Sequence, residues 1–304
     1  MVMEQLAGLT QPQRDRLAFV ELRIRFIGEI RRQDLASRFA IQSAAATRDL
    51  ALYKERAPGN IDYDPKMKAY VLGDGFRPIF DFPPERVLAW LTQGFGDGEP
   101  RRIEAWVTNG PASRLTQPDL DVLACVTRAI HRGCGLKIEY HSISCGRTQR
   151  EIVPFALIDN GLRWQVRAFD RKSQQFRDFV ITRIRSPQVL KGEKPAPHEA
   201  SDQDIQWTRI LELDLVPHPD QPHPEISEMD YSMERGVLKM KLRAAMAGYV
   251  LCKWGVDCSP THKLNGAEHR LWLRNHLALY GVRSAVLAPG YESPEPLEPQ
   301  QDCD

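Results

Sequence analysis

Two groups of side chains in this sequence have the types and spacing to do chemistry, and both would act on anions. The first is Gln42, Ser43, Ala44, Thr47 and Arg48, small and polar residues at the start of a helical stretch. A helix fits the major groove of duplex DNA, where its exposed side chains meet base edges. Arg48 has the planar fork that matches guanine, and Thr47 has the reach for a base or a phosphate. Lys54, Arg56, Lys66 and Lys68, with Arg31, Arg32 and Arg38, are placed for phosphates, which fix register but carry no sequence information. Glu21, Asp49 and Glu55 temper this charge, so affinity should lean on dimerisation. The other reading of the segment is an ordinary helical scaffold for protein contacts.

The second group alternates along two extended runs, Gly161–Asp170 and Phe176–Ile184. Alternation puts Trp164, Val166 and Ala168 on one face and Arg163, Gln165, Arg167 and Phe169 on the other. In the second run Arg177, Phe179, Ile181 and Arg183 share a face. If the runs pair as a hairpin, arginines converge with Gln165 and aromatic rings, and Ser142, Arg147 and Arg150 complete the set. Guanidinium forks hold phosphate or carboxylate, and a ring stacks on a base, which suits a nucleotide or a short nucleic acid. The bland reading is a basic sheet face whose arginines are solvated or paired with Asp170 and Asp178.

Other chemistry is poorly represented. The sequence contains no Walker loop, GxSxG, HExxH or GxGxxG pattern, and no cofactor is expected. His218 and His223 are the nearest approach to a metal cluster, but the prolines around them point to a rigid turn. Asp119 and Asp121 stand at a helix start, where carboxylates favour the dipole, so capping is expected rather than catalysis.

The elements that must position these groups are readable from periodicity. Apolar residues at helical spacing, with Thr10 as a cap, predict a helix over Pro12–Ile27. A short helix over Arg32–Phe39, a tight turn at Ala40–Gln42 and a third helix over Ser43–Arg56 follow. Strands at Asn60–Tyr63 and Ala69–Leu72 flank Asp64–Lys68 and form a hairpin, or wing. Helices are expected at Pro84–Thr92 and Pro118–Arg132, with loop between Gly94 and Pro111. Short strands at Leu136–Ile143, Gln149–Ile158, Leu162–Phe169 and Gln175–Ile184 then predict a small antiparallel sheet or barrel. Lys191–Asp204 reads as a polar linker. Beyond it, strands are expected at Arg209–Val216, Gly236–Leu242 and Ala285–Leu287, and helices at Ala245–Trp254 and Asn275–Tyr280. Trp207, Trp254 and Trp272 are expected to be core or interface anchors. The tail from Ser293 is rich in proline and acid and is expected to be disordered.

Among 304 residues the formal net charge is only +1. It is unevenly spread: residues 135–191 hold eleven basic and five acidic side chains, and residues 1–72 hold twelve and nine. Residues 201–304 reverse the balance, with ten basic and sixteen acidic. No run of about 18 apolar residues suggests a membrane span, and the N-terminal sequence lacks the pattern of a signal peptide, so a cytoplasmic protein is expected. The six cysteines show no CxxC or zinc spacing and are expected to be reduced, buried thiols.

The run Gly161–Asp170, followed by Phe176–Ile184, resembles the WYL domain of bacterial regulators. Trp164 keeps the place of the tryptophan, Val166 replaces the leucine and Gln165 the tyrosine; Ile138–Ser142 and Arg150–Phe155 also fit. The likeness extends to a winged helix before it and an extension after it, and is greatest to the BrxR/CapW type, repressors found beside BREX and CBASS anti-phage systems. It implies an α+β multidomain chain: a winged helix-turn-helix (1–80), a helical linker (81–134), a WYL β-domain of small Sm/SH3-like antiparallel barrel form (135–192), a C-terminal α/β dimerisation extension (205–292) and a tail (293–304). It further implies a homodimer on an inverted-repeat operator in double-stranded DNA, with a nucleotide or short nucleic acid as ligand and no membrane partner. An enzyme of nucleic-acid metabolism targeted by a winged helix, and a sensor subunit that does not bind DNA, are the alternatives.

Overall fold

A computed structural model of the chain describes residues 6–94, 116–190 and 192–293. Most of the expected 94–111 loop, and the tail beyond Ser293, lie outside the described residues. The first three helices are α1 (Gln11–Phe26), α2 (Arg32–Phe39) and α3 (Ser43–Arg56). The Gln13 side chain accepts the Thr10 backbone N–H at 3.0 Å and opens α1. Between α2 and α3, Ala40 takes the left-handed conformation (φ 50°), which turns the chain within three residues. A non-glycine residue pays about 1–2 kcal/mol for that geometry, and the packing of Leu35, Ala46 and Leu50 into one core holds it.

Strands β1 (Glu29–Ile30), β2 (Ile61–Asp64) and β3 (Ala69–Leu72) form a sheet in the order β1-β3-β2. The wing is therefore three-stranded, because a two-residue strand before α2 pairs with the outer edge of the expected hairpin. At its base a Cβ on Gly73 would lie 2.1 Å from the Gly59 carbonyl oxygen, so only glycine fits there.

Helices α4 (Pro84–Gln93) and α5 (Leu120–Arg132) follow. Asp119 caps α5, accepting the N–H groups of Asp121 and Val122. The next five strands are β4 (Leu136–Ser142), β5 (Gly146–Asp159), β6 (Trp164–Asp170), β7 (Gln175–Val180) and β8 (Ile184–Val189), in the antiparallel order β7-β6-β5-β4-β8. The run expected as one strand to Ile184 is broken by a 3-10 turn, Ile181–Arg183. That turn carries the chain from one sheet edge to the other, where β8 pairs with β4. Consecutive strands at opposite edges require the sheet to curl towards a small barrel. Its inner face packs on α5 through Val126, Ala129, Ile138, Val166, Ala168 and Phe179.

After α6 (Ile205–Thr208), strand β9 (Ile210–Pro217), helix α7 (Pro224–Asp230), β10 (Leu238–Arg243), α8 (Ala244–Lys253), β11 (Val256–Asp257) and β12 (Leu271–Leu273) build a second sheet, β10-β9-β12-β11. Leu211, Leu213 and Leu215 of β9 face α8 residues Ala244, Ala247 and Leu251 across its core. Residues 285–287 are not a strand; they belong to a 3-10 helix, Arg283–Leu287, that packs along α8. Here the Ser284 carbonyl sits where a Cβ on Gly248 would be, so helix and turn make backbone contact. Trp272 is half-buried and donates its indole N–H to the Ser259 carbonyl (2.9 Å), whereas Trp254 is exposed.

The cysteines divide. Cys134 and Cys258 are buried free thiols and Cys125 is half-buried, as the reading of a reduced chain expects. Cys252 is free but exposed, and Cys145, in the turn between β4 and β5, is disulfide-bonded, contrary to that reading. Cys252 lies on the solvent-facing side of α8, next to the buried Leu251.

Candidate nucleic-acid interface and ligand face

Helix α3 is amphipathic in the sense a groove-reading helix needs. Ala46, Leu50 and Tyr53 are buried, and Gln42, Ser43, Ala44, Thr47, Arg48 and Lys54 are exposed. The Thr47 hydroxyl donates to the Ser43 carbonyl at 2.9 Å. Arg31 and Arg32 at the start of α2, and Lys66 and Lys68 in the wing, are also exposed; Arg38 and Arg56 are half-buried. Arg56 donates to the Ala7 carbonyl, Arg31 pairs with Glu29 at 3.4 Å, and Lys54 lies 3.9 Å from Asp62 at the wing base. Asp64 accepts the N–H groups of Lys66 and Met67, which shapes the wing tip that carries both lysines.

Two of the acids expected to temper this surface are inside it. Asp49 is buried and forms a two-bond pair with Arg16 (2.6 and 3.3 Å). Glu21 is fully buried and accepts the Tyr53 hydroxyl (2.9 Å) and the backbone N–H groups of Ile79 and Phe80. Asn60 donates to the Tyr53 hydroxyl and to the Arg77 carbonyl. This network ties α1, α3 and the segment after the wing into one body, and so fixes the recognition helix relative to the wing. Burial pushes the Glu21 carboxyl above its ordinary value, against the pull of those donors. Glu21 falls on the apolar stripe of Leu17, Val20 and Ile24, which marks it as buried; its donors lie too far along the chain to be read from periodicity.

The β-domain residues are divided between two faces. Register places Ala168 opposite Arg177 and Arg167 opposite Asp178. Paired residues share a face, so Arg177 and Phe179 belong with Val166 and Ala168, and the expected convergence of Arg167 with Arg177 is not made. Arg150 lies opposite Ile138, on that same inner face, and binds Asp170 at 2.7 Å with both side chains buried. Arg147 is exposed and pairs with Glu139 (2.6 Å). Ser142 hydrogen-bonds Ser144, and Arg183 is half-buried in the 3-10 turn.

Gln165, Arg167 and Phe169 occupy the opposite face, yet every residue of β6 is buried. The cover is the segment after β8 together with α8. Phe169 packs edge-on against Phe176 (5.1 Å) and His198 (5.4 Å), and Phe155 against Trp207 (5.5 Å). Arg167 donates two bonds to Asp204 (2.8 and 3.2 Å) and one to Asp178 (3.0 Å). Tyr249 of α8 donates to the other oxygen of Asp178 at 3.1 Å. Burial raises the Asp178 carboxyl above its usual range despite Arg167, and burial beside Asp178 raises the Tyr249 phenol. Arg171 binds Glu199 and Glu193, and so docks the same covering segment. Asp204 and Tyr249 are the residues that sequence reasoning missed; Asp204 is legible as a cap of α6 but not as a partner 37 residues from Arg167.

Trp164, on the inner face, joins Leu22 and Phe26 of α1, Val87 and Leu88 of α4 and Leu123 of α5 in one cluster. Arg25 pairs with Asp121 (2.7 Å), and Arg128 and Thr127 donate to the carbonyls of Arg25 and Phe26. Strand β6 thus contacts the winged helix on one side and the C-terminal module on the other. Among the described residues, no group of three or more His, Cys, Asp or Glu could hold a metal ion, and no helix is long and apolar enough to cross a membrane.

An exposed recognition helix, a wing and a curled β-domain beneath a C-terminal α/β module define a winged-helix regulator of the WYL class. Family models agree piece by piece: the BrxR transcriptional regulator winged helix-turn-helix domain matches residues 12–93, the WYL domain 121–189 and the BrxR C-terminal dimerization domain 210–279. DNA-binding transcriptional repressors CapW are similar along most of their length. The Stenotrophomonas maltophilia protein is 30% identical over 247 residues, covering 79% of this chain and 82% of its own. That of Pseudomonas aeruginosa is 28% identical over 252 residues, covering 80% and 83%. That of Escherichia coli strain KTE188 is 27% identical over 284 residues, covering 90% and 93%. The chain belongs to the BrxR/CapW family of WYL-domain transcriptional regulators.

Proposed function

We propose that this protein is a homodimeric, cytoplasmic, nucleoid-associated repressor that binds an inverted-repeat operator and controls a bacterial anti-phage operon of the BREX or CBASS kind. The observation that carries this reading is the solvent-exposed edge of α3 from Gln42 to Arg48, held in place by the buried Glu21–Tyr53–Asn60 network. Gln42, Ser43, Ala44, Thr47 and Arg48 face the bases, and Arg31, Arg32, Lys54, Lys66 and Lys68 the phosphates. The C-terminal module pairs two copies, so that two recognition helices meet two half-sites, which multiplies specificity. A nucleotide or short nucleic acid at the β-domain shifts the placement of the paired winged helices and so relieves repression; a ligand acts only through unequal affinity for the two arrangements.

A gel-shift titration with the DNA upstream of the protein's own gene tests this. Specific retardation that weakens with salt and with Arg48→Ala is expected. Equal retardation of unrelated DNA overturns the sequence-specific reading.

A further inference from the structure

Arg167 is held by more negative charge than it needs. Asp178, its cross-strand neighbour on β7, already pairs with it at 3.0 Å, and Tyr249 steadies the far oxygen of that carboxylate. The open fork of the guanidinium, Nε and Nη2, is taken by a second carboxylate, Asp204, from outside the sheet. Asp204 stands at the start of α6, whose N-terminus it caps through the Gln206 N–H, and the chain runs from there into β9 of the C-terminal module. The two-bond geometry is the one by which a guanidinium binds a phosphate or carboxylate ligand.

Beside it, the Gln165 side chain lies on the same face of β6, and its Oε1 is buried and accepts no hydrogen bond among the described residues. A buried acceptor without a donor carries a desolvation penalty that an incoming N–H or O–H removes. The cluster therefore pairs an anion-binding fork, filled from within the chain, with a buried acceptor that no described donor reaches.

We propose that Asp204 is an internal stand-in for the ligand: an anionic group flanked by an N–H or O–H donor, as in a phosphorylated metabolite or nucleotide, displaces the Asp204 carboxylate from Arg167, places its donor on Gln165 Oε1 and undocks the start of the C-terminal module. This rests on the reading of the β-domain as a ligand sensor. It gives the sensor its output, because β6 holds the winged helix through Trp164 and the C-terminal module through Arg167.

Hydrogen exchange of the full-length protein without DNA tests it, with inorganic phosphate and thymidine 5′-monophosphate as probes against sodium chloride of equal ionic strength. Both probes are expected to speed exchange of the Asp204–Arg209 amides by about tenfold in the wild type, the nucleotide at lower concentration. Asp204→Asn keeps the cap and removes the charge; it is expected to exchange at that faster rate without a probe and to respond no further. Arg167→Lys keeps the charge facing Asp178 but loses the fork, and is expected to lose the probe response. Wild-type exchange unchanged by both probes overturns the proposal, as does an Asp204→Asn protein that exchanges like the wild type. The operator gel shift uses no probe, so failure here leaves the assignment as a DNA-binding regulator standing, and failure there leaves this one standing.

Discussion

The winged helix and the β-domain are both rich in basic residues, yet the structure gives the two sets opposite fates. Arg48, Lys54, Lys66 and Lys68 stand in solvent on the recognition helix and wing. Arg150 and Arg167 are buried, each held by aspartates, and Arg171, though less buried, is ringed by glutamates. The first set is available to a polyanion without rearrangement; the second has already been neutralised by the protein itself. Positive charge in a sequence thus measures a capacity for anions, and only the location of the nearest acids decides whether that capacity faces outward or is consumed in folding.

The largest expected effect separates the two sets directly. Arg150→Met strands Asp170, fully buried, without its counter-charge, and is expected to cost about 3–5 kcal/mol. Lys66→Met on the wing is expected to stay within about 0.5 kcal/mol. Urea unfolding of both variants checks this; equal losses would erase the distinction drawn above.

Next in size, Arg48→Ala is expected to weaken operator binding by about 1–3 kcal/mol, read by gel shift, with selectivity relaxed at one base position. Unfolding should barely register the change, since the side chain is exposed. Lys66→Ala with Lys68→Ala should weaken binding to all sequences alike and flatten the plot of log affinity against log salt by about one unit per lost phosphate contact. A specificity change from the wing lysines would move base reading away from α3.

The smallest effect concerns acid. The Arg171 fork draws the Glu199 carboxyl below its ordinary value of 4.5. A carboxylate depressed on folding contributes stability above its unfolded value, and that contribution drains away as pH falls through the folded one. The wild type should therefore lose stability faster than Glu199→Gln on acidification below pH 4.5, followed by the urea midpoint. Parallel curves would show that this pair does not dock the covering segment.

Much of this molecule could be read from the chain alone, because the signals were local. Helices α2 and α3 follow from apolar spacing within a dozen residues, and the wing from alternation around an Asp-Pro turn. The antiparallel β-domain and its tryptophan follow from short alternating runs. What could not be read depended on partners distant in sequence. The break at Ile181–Arg183, the extra strands β1 and β8, and the 3-10 helix in place of a strand at 285–287 are all set by what lies across the sheet or against α8.

The same division applies to function. Residue types and period determined, unaided, that α3 would show a polar, exposed edge and that Arg167 would share a face of β6 with Gln165 and Phe169. Tertiary structure alone decided that Asp178 rather than Arg177 stands across from Arg167, and that Asp204 closes over it. The physical reason is range: helical and strand periodicity act over a few residues, whereas strand register and the neutralisation of a buried charge are settled by groups tens of residues apart that meet only when the chain has folded.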